Sequence, residues 1–429
     1  MKKMFPGLDI LRFSLAYYIV MFHTLGYYAA ASAWPVTDVF MFGGYATSTF
    51  FILSGFILSH VYIGASNAEG LKVPVSRFLI NRFSNLYPIH VITLLLTIAL
   101  MFSSPFPYDV NLSGLGAHPI VHTMSTAEAA ANVIMQILLL QAWNPFYQAF
   151  NVPAWSLSAL FFFYLCFPLL APRLLSMRRK VVMLMVMWAA TLLPALIAIE
   201  AGWYGVWAIG ALHTNPLILL PEFLAGVLAY GIFAAHADLV TGIVTRYLRS
   251  TVLLLAALFV GSASLVANGS PAWKVLLHGG AMLPTQVALI FISASVLHDA
   301  SPRVTSWAGR LGNASLSVFA LQIPLFTLFM KVNKLLEIPY PFRPCFHQAH
   351  LCTQAAHGMP LRLSFYPAYL VTLLITSVLF QEKVVAAVRG PLRRIFRNQR
   401  ATGAPGQGAL LSDQHASLSN VPDQGSAKA

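Results

Sequence analysis

The chain has 429 residues, of which 58% are hydrophobic and only 9% charged, with a mean hydropathy of +0.71. A soluble domain carries about 25% charged residues, so no soluble core could hide this much apolar surface, and lipid must be the solvent. The net charge of +13 reads as membrane topology rather than as a nucleic-acid footprint.

Apolar runs of about 20 residues, the length that crosses some 30 Å of hydrocarbon, recur along the chain. They are continuous rather than alternating, which predicts helices and not a lipid-facing barrel. The first run follows Lys2 and Lys3, holds Arg12 and His23, and is followed by no small-residue cleavage site. A retained helix is therefore expected rather than a cleaved signal. The predicted spans are 9–28, 40–63, 83–103, 155–172, 181–200, 216–236, 251–268, 273–297, 312–332 and 364–383. With the N-terminus inside, the cytoplasmic segments hold 20 Lys and Arg and the outer segments 5. That asymmetry predicts an all-α integral membrane bundle of about ten helices with both termini cytoplasmic.

The helical but short stretch 129–142 is expected to be re-entrant or interfacial on the outer side. As a full span it would invert every later loop and place the Arg173–Lys180 cluster outside. Residues 1–388 read as one transmembrane domain with an outer loop at 333–363, and residues 389–429 as a basic, then disordered, cytoplasmic tail. The basic start of that tail suits anionic lipid headgroups. In the outer loop Cys345 and Cys352 could form a disulfide in an oxidising compartment. The spacing of the histidines and cysteines there fits no familiar metal site, and none is expected.

Ionisable groups inside spans are costly and mark function by default. Asp9 and Arg12 stand three residues apart and can pair. Arg12 and His23 are separated by roughly three helical turns, so they share a face about 16 Å apart along the axis. A cation near the cytoplasmic mouth can hold the phosphates of a large anionic donor. A deeper imidazole can act as general base toward a hydroxyl. Arg77 and Arg82 precede the third span together with Pro88, which is expected to kink the helix entrance. By themselves they read as an ordinary positive-inside anchor. Glu222, following Pro221, is either a catalytic or substrate-binding carboxylate or a simple interfacial residue.

Several segments in order resemble the acyltransferase-3 family of membrane O-acyltransferases. They are Gly7-Leu8-Asp9-Ile10-Leu11-Arg12 with Phe22-His23, then Thr49 to Phe56, then Arg82-Phe83 with Leu86-Tyr87-Pro88. Pro153-Ala154-Trp155-Ser156-Leu157-Ser158 follows, and Leu311 to Ser315 comes last. The resemblance runs from residue 7 to about 385. It implies ten spans with cytoplasmic termini in a bacterial inner (plasma) membrane. It also implies an acyl-CoA co-substrate, acetyl-CoA by preference, with no tightly bound cofactor. The implied acceptor is a carbohydrate: a surface polysaccharide or its lipid-linked glycan precursor. By that resemblance His23 is catalytic, Arg12 and Arg82 bind or orient the donor, and Trp155, Ser156 and Ser158 line the acceptor side; from their positions Arg77 is expected to join the donor-binding arginines and Glu222 the acceptor side. Three positions depart from the family pattern: Leu160 where a glutamate is usual, Asn85 where a second arginine is common, and Gln322 where a histidine often stands. The expected function is O-acyl transfer, most simply O-acetylation in polysaccharide biosynthesis. The alternatives are a glycolipid transporter or flippase, and a catalytically degenerate member of the family.

Overall fold

The computed structural model describes residues 5–32, 37–64, 70–102, 108–115, 120–297, 300–336 and 361–391. Among the described residues the regular structure is helical apart from one small ribbon. Its main helices are α1 (Pro6–Thr24), α2 (Gly43–Tyr62), α3 (Val75–Phe102), α4 (Thr126–Ile137), α5 (Trp155–Ser176), α6 (Lys180–Glu200), α7 (Val206–Thr214), α8 (Pro216–Ala235) and α9 (Ala237–Asn268). They continue with α10 (Pro271–Leu276), α11 (Leu283–Ser295), α12 (Pro302–Leu336) and α13 (Tyr366–Leu379). Among the described residues nine helical segments are long and apolar enough to cross a membrane. A bent pair, Pro271–Ala281 and Leu283–Ser295 at 44°, makes a tenth when its two helices are taken together as one span. Each of the ten predicted spans has its counterpart.

Burial sorts these helices into a centre and a shell. α2 and α8 are mostly buried, whereas α6 and α9 present Val181, Leu193, Leu253 and Leu254 outward. Such a surface would precipitate in water and is at home in lipid. α1 packs along α12 and α2, and α2 along α8. The α2–α8 contact depends on two glycines. A Cβ at Gly55 would strike the Phe223 carbonyl, and one at Gly226 would strike the Ile52 carbonyl. Without lipid-excluding hydrophobic force between them, membrane helices associate through such close backbone approach.

Several helices outrun the apolar runs that predicted them. α3 begins at Val75 rather than 83 and passes through Pro88, so this proline lies inside the helix and not at its entrance. α12 has 35 residues, about 52 Å at 1.5 Å per residue, against some 30 Å of hydrocarbon. Hydropathy detects only the lipid-immersed part of such a helix. In α9 the backbone leaves helical values at Tyr247 (φ −110°, ψ 18°), close to where the apolar run begins. The break in the eighth crossing lies at Leu277–Ala281, where Gly280 adopts φ +94°, a conformation that favours glycine. Its carbonyl accepts the Trp188 indole N–H at 3.0 Å.

The stretch read as re-entrant is α4, 12 residues long and too short to span. Its start is set by a capping box between Ser125 and Glu128. The Ser125 amide, and after it His122, hold the Glu128 carboxylate below the usual range. A two-stranded antiparallel ribbon, β1 (Asp109–Asn111) with β2 (Val121–Thr123), leads into it. The far end of α4 meets the middle of α3: His90 Nε2 donates to the Gln136 carbonyl at 2.8 Å, and Tyr87 Oη to that of Ile137 at 3.1 Å. The chain then reverses at Leu139 (φ 55°).

Helix ends define two ends of the bundle. Phe5 meets His60 and Phe233 edge to face, Gly7 abuts Ser293, Asp9 abuts Gly312, and Arg310 pairs with Glu382. The start of α1 and the segment after α13 therefore lie at one end, called here the basic end. The Cys345–Cys352 loop and the tail beyond Pro391 lie outside the described residues. Gly226→Val is expected to destabilise the α2–α8 pair by about 1–3 kcal/mol. A lower unfolding temperature in detergent would register it; an unchanged value would show that the two helices do not need this approach.

Candidate active site

One face of α1 organises the site. Arg12, Ile19 and His23 fall on a common stripe, because offsets of seven and eleven residues are close to whole numbers of turns. Asp9 accepts from Arg12 at 3.3 Å, the pairing that the sequence spacing predicts. α12 and α2 cover the stripe, which shelters a charged group that hydrocarbon would reject.

At the basic end the stripe opens into a cavity of about 380 Å³ lined by Arg12, Arg82, Arg310, Arg389, Tyr164 and Glu382. Arg82 donates to Tyr62 Oη at 2.7 Å and lies over the same ring, 5.0 Å from its centroid. Arg310 makes a two-point pair with Glu382, at 2.7 and 3.2 Å. Four guanidinium groups against one lining carboxylate leave the cavity strongly cationic. Guanidinium forks of this kind suit phosphate oxygens. Asn85 and Leu160, two of the three departures from the family pattern, also line it. Arg77 does not: it is exposed on the first turn of α3.

The other end holds a larger cavity, about 670 Å³, lined by Trp155, Glu222, His213, His278, Asp38 and Phe22. Trp155 packs on the His213 ring at 4.9 Å. Glu222 is only 2% exposed. Its Oε2 meets no polar partner among the described residues, and the nearby Ser48 hydroxyl donates to Gln286 Oε1 at 3.4 Å. A buried acceptor on a cavity wall with nothing to bond is a natural place for a ligand hydroxyl. Asp38 is tied to Asn268 at 2.9 Å. His278 hangs from the broken eighth crossing, its Nδ1 on the Lys274 carbonyl at 2.7 Å. Breaks of this type cluster at functional positions.

His23 is not among the residues lining this cavity, although its neighbour Phe22 is; it is partly exposed. His213 lies within Coulombic range of it and of His278. The His23 tautomer follows from its partner. Gln322 Nε2 donates to the Phe319 carbonyl at 2.9 Å, so Oε1 is left to accept, and it faces His23 Nδ1 at 3.2 Å. Nδ1 therefore carries the hydrogen and Nε2 keeps its lone pair. The Tyr369 hydroxyl fixes Gln322 from behind by donating to its backbone carbonyl at 3.0 Å.

The structure thus gathers Arg12 and Arg82 in one cavity and Trp155 and Glu222 in the other. Ser156 lines the narrow place between them. Ser158 turns away, bonding the Leu139 carbonyl and the Ala142 amide, which the chain reversal strips of helical partners. Sequence reasoning overlooked His213 and His278, although a histidine within an apolar run is itself a signal. It counted Arg310 only as a topology charge and Arg389 as the start of a tail lying on lipid headgroups. Phe163-Tyr164 belongs to the family-like segment that starts at Pro153, but the resemblance gives Tyr164 no role. Among the described residues no three His, Cys, Asp or Glu side chains form a metal-binding group.

The family model described as "Acyltransferase domain" matches residues 5–382. Over 130 residues the chain is 35% identical to "Acyltransferase MdmB" of Streptomyces mycarofaciens, which covers 30% of this chain and 28% of that protein. The chain thus spans under a third of the length of that curated relative. No solved structure matches it. Nitrogen NMR of histidine-labelled protein should find the His23 hydrogen on Nδ1, and Gln322→Leu should release a mixture of tautomers. A hydrogen on Nε2 in the unaltered protein would contradict the assignment.

Proposed function

The chain belongs to this acyltransferase family, and we propose that it moves an acyl group from an acyl-CoA thioester, held in the basic cavity, to a sugar hydroxyl presented in the opposite one. The observation that carries the reading is the shared stripe of α1: Arg12 in the cationic cavity, Ile19 at the junction, and His23 one turn beyond, within Coulombic range of His213 on the wall of the polar cavity. The donor is a large polyanion, and four arginines line the only one of the two cavities that could neutralise it. The basic end is accordingly the cytoplasmic one, consistent with the bias of lysine and arginine toward cytoplasmic segments. We place the protein in the bacterial inner membrane, with a surface polysaccharide or its lipid-linked precursor as acceptor.

His23 Nε2 takes the proton of the acceptor hydroxyl as its oxygen attacks the thioester carbonyl. The new C–O bond forms an ester, the C–S bond breaks, and the leaving thiolate receives the proton from the imidazolium. Gln322 keeps Nδ1 protonated and so keeps Nε2 available. Glu222, with its unsatisfied Oε2, accepts from a second hydroxyl of the sugar, while Trp155 offers an apolar face to the ring. Leu160 can exchange no proton, so the proton path does not pass through that position.

Membranes bearing the protein, supplied with radiolabelled acetyl-CoA and surface glycan from cells lacking it, should form alkali-labile esters. His23→Gln is expected to lower the rate about 10²- to 10⁴-fold, the worth of a positioned general base. Arg82→Gln is expected to raise the donor KM about tenfold or more with kcat little changed, as a lost charged hydrogen bond requires. Ester formation undiminished in His23→Gln would refute the mechanism.

A further inference from the structure

The two cavities are separated by a third void of about 10 Å³, lined by Ile19, Phe50, Phe51, Leu157, Leu160 and Phe319. Phe50 and Leu160 also line the basic cavity, and Phe51 also lines the opposite one. The void is therefore the junction through which the cavities approach one another. Ile19 stands one turn before His23 on the same face of α1. Its walls are rigidly placed: Ile19 and Phe51 are 1% exposed, Leu157 0%, Leu160 2% and Phe319 6%. Phe51 stacks edge-on to Phe163 at 5.2 Å and to Trp155 at 6.1 Å. On this measure a cavity needs roughly 10–15 Å³ to hold one water, so the void takes one group of water or methyl size. Its large walls are apolar, and the two hydroxyls that also line it are spent on backbone carbonyls, Thr47 on Gly43 at 3.2 Å and Ser156 on Pro153 at 3.1 Å, which favours the methyl.

We propose that this void is a gauge for acyl length: it seats the methyl of an acetyl thioester and excludes longer chains, with Leu160 and Phe319 as the specificity-determining residues. The inference rests on the acyl-transfer reading above. A thioester carbonyl placed within reach of His23 from the basic side must lodge its acyl chain at the junction, because that is where the Arg12 stripe passes Ile19. Leu160 cannot ionise, so its contribution there is steric. Phe319 is tied to the catalytic arrangement as well, since its carbonyl holds the Gln322 amide. Each added methylene must displace Ile19, Leu157 or Phe319, which border neither larger cavity and are buried. In a close-packed interior that is resisted, and apolar pockets discriminate by about 10- to 200-fold per methylene.

The test uses the full chain in native-like membranes, with glycan from cells lacking the protein as acceptor. Acetyl-, propionyl-, butyryl- and octanoyl-CoA compete, and mass spectrometry reads the esters formed. The unaltered protein is expected to favour acetyl over butyryl by at least about 100-fold, two methylenes at the lower bound. Leu160→Ala, and the milder Phe319→Leu, are expected to shift that ratio toward butyryl by about tenfold or more. Equal use of acetyl and butyryl by the unaltered protein would overturn the gauge while leaving acyl transfer intact. So would folded variants with an unchanged ratio, the result for a junction that is merely a water seal. Should either variant fail to fold, the chain-length profile of the unaltered protein decides by itself. No ester from any thioester would overturn the acyl-transfer reading, and the gauge with it.

Discussion

A guanidinium and an imidazole on one face of a membrane helix cannot be left against hydrocarbon. That single constraint organises the bundle. α1 carries Arg12 and His23 and is enclosed by α12 and α2, and where the helices cross, glycine permits the approach. Gly312 leaves room for the Asp9 side chain, Gly43 for the Phe22 ring, and Gly7 lies on the Ser293 carbonyl. The pairing of Asp9 with Arg12 and of His23 with Gln322 then satisfies the polar groups that enclosure removes from water. The lipid-facing helices α6, α9 and α13 carry no comparable demand and are apolar on their outer faces.

Enclosure also divides the interior. Where α1 presents Arg12, the neighbouring helices add further arginines and one glutamate; where it presents His23, they add histidines, a tryptophan and a buried carboxylate. Between the two, α1 presents Ile19, and every large neighbour is apolar. A polar group on each side of an apolar junction allows two substrates of opposite character to meet without opening a wet path through the membrane. The position of Leu160 gains its meaning from this arrangement: a carboxylate there would put a charge into the seal.

The span count and the stripe on α1 were legible in the sequence, because bilayer thickness and helical pitch act on every residue in the same way. Helix ends such as Val75 and Pro302 were not, since amphipathic extensions into the headgroup region leave no hydropathy signal. The Arg12–Asp9 pair followed from spacing alone. The cavity partners Arg310, Arg389, Tyr164 and His213 did not, because they come from helices far apart in the chain and become neighbours only by packing. The family resemblance supplied Trp155 and Ser158 together, yet only packing separates them: the first faces the cavity and the second repairs the chain reversal at Leu139. Gln322 reads in sequence as a departure from the family. In three dimensions it is the group that fixes the tautomer of His23.

The central claim is that two cavities open on opposite membrane faces and approach one another only at the Ile19 junction. It can be tested in a background where Cys166, Cys345 and Cys352 are serine. Ser54→Cys would then report on the basic cavity and Met41→Cys on the other. A membrane-impermeant thiol reagent, applied to sealed vesicles of each orientation, should label Ser54→Cys only from the cytoplasmic side, with protection by coenzyme A. It should label Met41→Cys only from the opposite side. Labelling of both positions from one side would contradict the account.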